Sequence, residues 1–274
     1  MLSYRHAFHA GNFADVHKHT GLMLALESLC KKDKPFSIID THAGAGMYII
    51  DDERALLTGE TSDGILRLIS FCDNNDSSPA VSRYLSLVKP YINANSYPGS
   101  PEIERCFLRE NDSLSLVELH STEIGVLRSA MEREGKDPRI HIHFRDAYEA
   151  AAALCPPEIR RGLLMMDPSY EVDSDYRNVV SSLEAVQKKW AEGIKILWYP
   201  LLNHRKKELS TLKDGLITLC DKTGSSYFCS ELKIYQDGEG EGMTGSGLFF
   251  INVPWLLEEQ LSAACIFLKK IFHK

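Results

Sequence analysis

The feature that most constrains this chain is a recurrence of short β-rich runs, each closing on a carboxylate, a proline or a glycine-rich turn and separated by helical patterns. The runs are Phe36–Asp40, Ser113–Glu118, Ile140–Phe144, Leu163–Asp167 and Lys195–Tyr199, with Phe228–Tyr235 and Leu248–Val253 near the end. Several are apolar almost throughout, as strands are when a parallel sheet is covered on both faces. Helical periodicity fills the intervals: Asp15–Cys30, Pro101–Arg109, Thr122–Glu134, Tyr148–Leu154, Ser174–Ala191, His204–Cys220 and Trp255–Phe272. Such alternation predicts an α/β domain with right-handed crossovers. Ligands of these sheets bind outside the carboxyl ends of the strands. Asp40, Glu118, Asp146 and Asp167 all fall there, so four carboxylates are expected on one rim.

One interval is too long. In a plain nucleotide-binding unit the second strand ends about 20 residues after the glycine turn, whereas Glu118 follows THAGAG much later. The excess, 49–95, holds two helix-like stretches, Ala55–Cys72 and Val81–Ile92, around a polar link, and is expected to be a small helical insertion within a single domain, 1–274. The GEGEGMTGSG run, Gly238–Gly247, is expected to be a hairpin loop between the last two strands.

Composition removes several function classes. No apolar run reaches the length of a membrane span, which rules out a transmembrane helix, and MLSYRHAFHAGNF has no apolar core, so no secretory signal is expected. The seven cysteines include no CxxC pair, which argues for a reducing cytoplasm rather than disulfides or zinc. A net charge of −7 does not suit a protein that coats nucleic acid, so any such contact needs a local basic patch. His204-Arg205-Lys206-Lys207 is one candidate, and a solvated helix face is the plain alternative. No apolar interface stripe stands out, and a monomer is expected.

Three rim segments carry chemistry. Asp40-Thr41-His42-Ala43-Gly44-Ala45-Gly46 is a glycine turn after a strand, which lets backbone approach a ligand closely. Ile49 stands where a dinucleotide fingerprint needs its third glycine, so a cofactor without a pyrophosphate, such as S-adenosylmethionine, fits better. Glu118 can accept from vicinal ribose hydroxyls and Asp146 from an exocyclic amine, although Asp146 also stands where a helix N-cap would. Asp167-Pro168-Ser169-Tyr170 is the most pointed segment. A carboxylate and a proline carbonyl can hold the two protons of an adenine amine, freeing its lone pair for methyl attack. The tyrosine ring can stack on the base. The plain alternative is a strand ending in a proline turn. The N-terminal histidines show no zinc-type ligand spacing, so no metal site is expected. Instead this segment is expected to fold over the cofactor and present Tyr4, Arg5 and Lys18 to an anionic substrate, or simply to cap the sheet with solvated histidines.

Taken in order, MLSYRHAFHAGNFADVHKHT, DKPFSIIDTHAGAGMY, YPGSP, LVELH, RGLLMMDPSYE, LWYP and GMTGSG-LFFINVPW resemble the bacterial 23S ribosomal RNA adenine-N6 methyltransferase J family, members of which have also been described as proteins for using external DNA. The resemblance covers essentially the whole chain. It implies a Rossmann-like methyltransferase fold with a seven-stranded, mostly parallel sheet, S-adenosylmethionine as cofactor and 23S ribosomal RNA as partner. It also implies cofactor contacts from His19, His42, Ser100, Glu118, Asp146, Ala147 and Asp167, with Asp167, Pro168 and Tyr170 as the catalytic segment and Tyr4 and Lys18 facing substrate. One departure matters. The family has a second proline where this chain has Ser169, which removes a fixed φ from the acceptor loop but keeps both acceptors. The alternative reading is a protein that handles external DNA, as a DNA methyltransferase, a nuclease or a non-catalytic binder.

Overall fold

The computed structural model describes residues 9–51, 59–236, 239–240 and 242–274. A central sheet of seven strands runs in the order β5-β4-β1-β6-β7-β9-β8. Its strands are β1 (Ser37–Asp40), β4 (Ser113–Glu118), β5 (Ile140–Phe144), β6 (Gly162–Met166), β7 (Ile194–Leu202), β8 (Tyr227–Lys233) and β9 (Met243–Ile251). The β5-β4-β1-β6-β7 pairings are parallel, and only β9, inserted between β7 and β8, runs antiparallel to its neighbours. All seven expected strands form, and the sheet is the expected mostly parallel one. The chain leaves β1 toward β4 and returns on the other side at β6, so the order reverses between β1 and β6. A crevice opens at such a reversal, and Asp40 and Asp167 flank it.

Helix α1 (Phe13–Cys30) is unusual in being buried nearly all round. Its second half is apolar, but its first half buries Asp15, His17, Lys18, His19 and Thr20. Burial of polar groups costs free energy unless each is paired, and each of these has a partner. Asn12 caps the helix, its Oδ1 accepting from the Ala14 and Asp15 amides, both at 2.9 Å. The histidines here are therefore not solvated. Helix α9 (Leu257–Phe272) packs beside α1 on the same sheet face.

The opposite face carries α7 (Ser174–Lys189) and α8 (Lys206–Thr223) over Leu197, Tyr199, Leu201 and Phe249. Helices α5 (Glu123–Met131) and α6 (Ala147–Leu154) follow β4 and β5. The stretch expected to be inserted is bracketed by a two-stranded antiparallel ribbon that the sequence did not suggest, β2 (Met47–Ile49) with β3 (Ser96–Pro98). Between them lie a π-helical turn (Ser62–Leu66), α2 (Arg67–Cys72) and α3 (Pro79–Asn93), with α4 (Ser100–Cys106) just beyond β3. Residues 55–58 of the first expected helix, Ala55–Cys72, lie outside those described. This stretch grips the start of α1: Ile65 N–H donates to the Gly11 carbonyl at 2.8 Å and Thr61 Oγ1 to that of Ala10 at 2.8 Å.

Two expectations need correction. The run Gly238–Gly247 is only partly a loop, because β9 begins at Met243 and its glycines lie between two strands. At Gly247 a Cβ would stand 2.0 Å from the Tyr199 ring, so glycine there makes room for an aromatic across the sheet. The fifth strand does not stop before Pro200 but runs on to Leu202. Its pairing with β6 ends at Leu197. Beyond that point β7 has a free edge, where a proline without an N–H is tolerated.

Candidate active site

The rim is built from the loops after β1, β4, β5 and β6. Asp40, the last residue of β1, is wholly buried. Its Oδ1 accepts from the His42 amide at 3.0 Å and its Oδ2 from the Ser100 hydroxyl at 2.7 Å. Burial pushes its carboxyl up to about 7, against those hydrogen bonds. Ser100 is thus placed at the rim, but its hydroxyl is engaged by Asp40. The turn that follows depends on Gly44, whose φ of +60° favours glycine. A Cβ there would also meet the Tyr48 hydroxyl at 2.6 Å. Glu118 pins the turn from the end of β4: its Oε2 accepts from the Gly44 amide at 2.8 Å and its Oε1 from the His120 amide at 2.6 Å. Burial raises its carboxyl above the ordinary range despite these donors.

His42 is neutral, since burial lowers it to about 4. The Asp167 amide donates to its Nδ1 at 3.3 Å, which assigns the ring proton to Nε2. The Thr41 hydroxyl lies 2.8 Å from the same Nδ1. Tyr148 meets the ring edge-on at 5.9 Å between centroids. Asp146 does cap a helix: its Oδ1 accepts from Tyr148 N at 2.9 Å and Glu149 N at 3.0 Å, with Ala147 buried as the first residue of α6. Its Oδ2 has no partner among the described residues, so capping leaves half the carboxylate for a ligand.

At the end of β6, Asp167 Oδ2 lies 2.6 Å from Lys18 Nζ, and Asp15 Oδ1 holds the same ammonium at 2.8 Å. Burial pulls Lys18 down, but the two carboxylates outweigh it and keep the ammonium charged well above its ordinary range. Lys18 is therefore a buried partner of Asp167 rather than a free cation offered to an anionic substrate, which corrects the expectation. Asp167 Oδ1 has no partner among the described residues. Pro168 is buried. Tyr170 takes a φ of +54°, costly for a bulky residue, and its hydroxyl donates to the Trp198 carbonyl at 3.0 Å. Its ring is 5% exposed between Tyr176 and Trp198. The stacking face expected of it is covered, and its evident part is to anchor the loop.

His19 lies deeper, bonded through Nδ1 to the Tyr97 hydroxyl at 2.9 Å, which in turn meets that of Tyr84 at 2.8 Å. Tyr4 and Arg5 lie outside the described residues. Among those described, no group of three or more His, Cys, Asp or Glu side chains is placed to hold a metal. No helix among them is long and apolar enough to cross a membrane. All seven cysteines are free. Sequence reasoning missed Asp15 as the second partner of Lys18, and Trp198, whose ring centroid lies 5.6 Å from Lys18 Nζ. The one available signal for Trp198 was an aromatic residue near the end of the strand beside the Asp-Pro segment.

The donor set suits an adenosyl sulfonium. A carboxylate offers about four acceptor sites; Glu118 has used two and Asp146 one of its oxygens, which leaves acceptors for ribose hydroxyls and an adenine amine. The surrounding negative rim suits a sulfonium cation.

Comparison with known proteins agrees with this chemistry. The family described as "Ribosomal RNA large subunit methyltransferase D, RlmJ" matches residues 33–274. A relative from Escherichia coli K12, "Ribosomal RNA large subunit methyltransferase J", is 42% identical over 266 residues, covering 96% of this chain and 91% of its own. Its namesake from Haemophilus influenzae is 36% identical over 275 residues, covering 98% and 94%. The crystal structure of protein LPL1258 from Legionella pneumophila Philadelphia 1 aligns with a TM-score of 0.83 at 32% identity, covering 97% of this chain and 94% of that one.

Proposed function

The chain belongs to the RlmJ family of ribosomal RNA large subunit methyltransferases, and from that premise we infer an S-adenosylmethionine-dependent methyltransferase of ribosomal RNA and propose N6 of an adenine in the 23S molecule as its target. The observation that carries the choice of atom is the Asp167-Pro168 segment at the β1/β6 reversal, with one carboxylate oxygen held by Lys18 and the other open.

S-adenosylmethionine supplies an electrophilic methyl group when bound. The rest falls to the protein. Glu118 and Asp146 hold the cofactor's ribose and adenine, and His42 offers Nε2–H from a ring kept neutral. Asp167 Oδ1 and the Pro168 carbonyl accept the two hydrogens of the target amine. That geometry draws the nitrogen toward a pyramidal shape and exposes its lone pair. The carboxylate then helps to remove the proton released as the new C–N bond forms. Lys18 holds this carboxylate in place, and preorganisation of this kind carries much of the rate. The target base has to leave its stack, which costs a few kcal/mol and least in a loop or irregular helix.

The test has two arms. Calorimetric titration with S-adenosylhomocysteine should show micromolar binding that Asp146→Ala abolishes. Methyl incorporation from labelled cofactor should occur into protein-free 23S ribosomal RNA, not into DNA, and should be indifferent to chelator. Binding without RNA methylation, or methylation of DNA instead, would overturn the substrate; chelator-sensitive DNA degradation would install the DNA-handling alternative.

A further inference from the structure

A line of buried polar groups runs from the acceptor loop into the core between α1 and the sheet. The Trp198 indole Nε1–H donates to Ser246 Oγ at 2.9 Å. Ser246 Oγ lies 3.0 Å from His17 Nδ1, and His17 Nε2 lies 3.0 Å from Ser230 Oγ. Ser230 Oγ meets Cys265 Sγ at 3.2 Å. His17 and Ser246 are both 0% exposed. Burial lowers His17 to about 3, opposed only by a bond with the Ser246 backbone, so the ring is neutral. Either tautomer then satisfies both ring nitrogens, because each hydroxyl can donate or accept.

The near end of this line is the site itself. The Lys18 ammonium that holds Asp167 sits against the Trp198 ring. The Trp198 carbonyl accepts the hydroxyl that anchors Tyr170 in its left-handed conformation. Trp198 therefore bears on the acceptor segment in two ways, through its ring against Lys18 and Tyr170 and through its backbone carbonyl. For stability alone an apolar trio could fill this space as well, since buried hydrogen bonds contribute little net. An N–H···O bond is directional where apolar contact is not, so what the polar line adds is a fixed indole orientation.

Building on the methyltransferase reading, we propose that Ser246 and His17 are positioning residues for the acceptor: they fix the Trp198 ring against Lys18 and thereby the placing of Asp167 and the Tyr170 loop. Neither touches substrate or cofactor. Their loss lowers turnover with little effect on binding.

The test is a double-mutant cycle of Trp198→Phe, which keeps a ring but loses the donor, and Ser246→Ala, which loses the acceptor. Each should lower kcat about tenfold, and the double variant no further, because both break one interaction. KM for RNA and Kd for S-adenosylhomocysteine should stay within about twofold, as positioning and ground-state binding separate in this way. Trp190 is fully buried and Trp255 is 81% exposed, so a Trp255→Phe background leaves Trp190 and Trp198 as the emitters, and a shift of emission maximum on adding Ser246→Ala reports the changed surroundings of the Trp198 indole. His17→Phe should behave like Ser246→Ala if it folds; the serine variant decides the matter if it does not. Unchanged kcat in Ser246→Ala, additive losses, or losses matched by weaker cofactor binding or a smaller folded fraction would overturn the proposal. If the unaltered enzyme methylates no RNA, the methyltransferase reading fails instead, and the emission shift still reports whether Ser246 holds the indole.

Discussion

Asp167 at the end of β6 meets Lys18, a residue 149 positions earlier on α1, at 2.6 Å. Both members are largely out of water. Removing one partner of such a pair leaves an uncompensated charge and costs about 3–5 kcal/mol. Lys18→Met leaves Asp15 and Asp167 facing each other without their cation. It should lower the melting temperature markedly and abolish methyl transfer. Thermal denaturation beside a methylation assay checks both, and a variant as stable as the parent would show that the pair is not closed in solution.

Asp167→Asn keeps the size of the side chain but replaces a charged acceptor. Methyl transfer to RNA should fall by about 10²–10⁴-fold, the range for lost acid–base assistance, while S-adenosylhomocysteine should still bind. Rapid single-turnover measurement of the chemical step is the check. An activity within a few-fold of the parent would remove Asp167 from its proposed role.

Glu118→Gln alters a carboxylate that pins the glycine turn through Gly44 N and His120 N. A charge-assisted hydrogen bond is roughly twice as strong as a neutral one. Cofactor affinity should therefore drop by about tenfold or more with the fold intact, which calorimetry and far-ultraviolet circular dichroism can separate. Unchanged affinity would mean that Glu118 serves the turn alone.

The family resemblance implies a second proline at the position of Ser169. Both acceptors remain in place around it, so the enzyme should turn over as it is. Ser169→Pro should at most raise kcat a few-fold and add about 0.4–1 kcal/mol of stability by restricting the unfolded chain. If only the proline variant is active, the serine has disabled the natural enzyme.

Two buried carboxyls give stability a pH dependence. Asp40 is raised to about 7 by burial. Glu104 is also raised by burial, with the nearby Asp40 charge adding to the effect, and neither of its oxygens has a partner among the described residues. Each binds its proton more tightly in the folded state than in the unfolded one, where a carboxyl titrates near 4. Stability is therefore greatest below that value and is lost as pH rises, for Asp40 across the window from about 4 to about 7. Glu104→Met removes an unsatisfied buried acid and should stabilise by about 1–3 kcal/mol, with a shallower decline of melting temperature with pH. A slope equal to the parent's would show that Glu104 is solvated.

Much of this was legible in the residues. Strands with apolar runs declare themselves by composition, and their C-terminal carboxylates followed at once from parallel topology. Asp40, Glu118, Asp146 and Asp167 gather on one rim as a result. What was not legible depended on contacts far apart in sequence. The polar half of α1 was read as a cover that presents Lys18 to substrate, or else as a solvated cap, because nothing local shows that Asp15 and Asp167 pair with Lys18, or that two serines of the last strands flank His17. The glycines of β9 looked like loop because turn chemistry and the relief of crowding under Tyr199 use the same residue. The β2–β3 ribbon is three residues on each side, too short for a periodicity to register.

The position of β9 has a consequence for how the enzyme comes into being. It is the last strand to be synthesised, yet it lies between β7 and β8 and supplies the surface on which α1 rests. A nascent chain that has already produced Lys18 and Asp167 still lacks the support that seats α1. Closure must wait for contacts such as His17 with Ser246, 229 positions apart, a non-local step of the kind that slows folding. The ribosome that makes this enzyme has to reach β9 before the enzyme can modify ribosomal RNA.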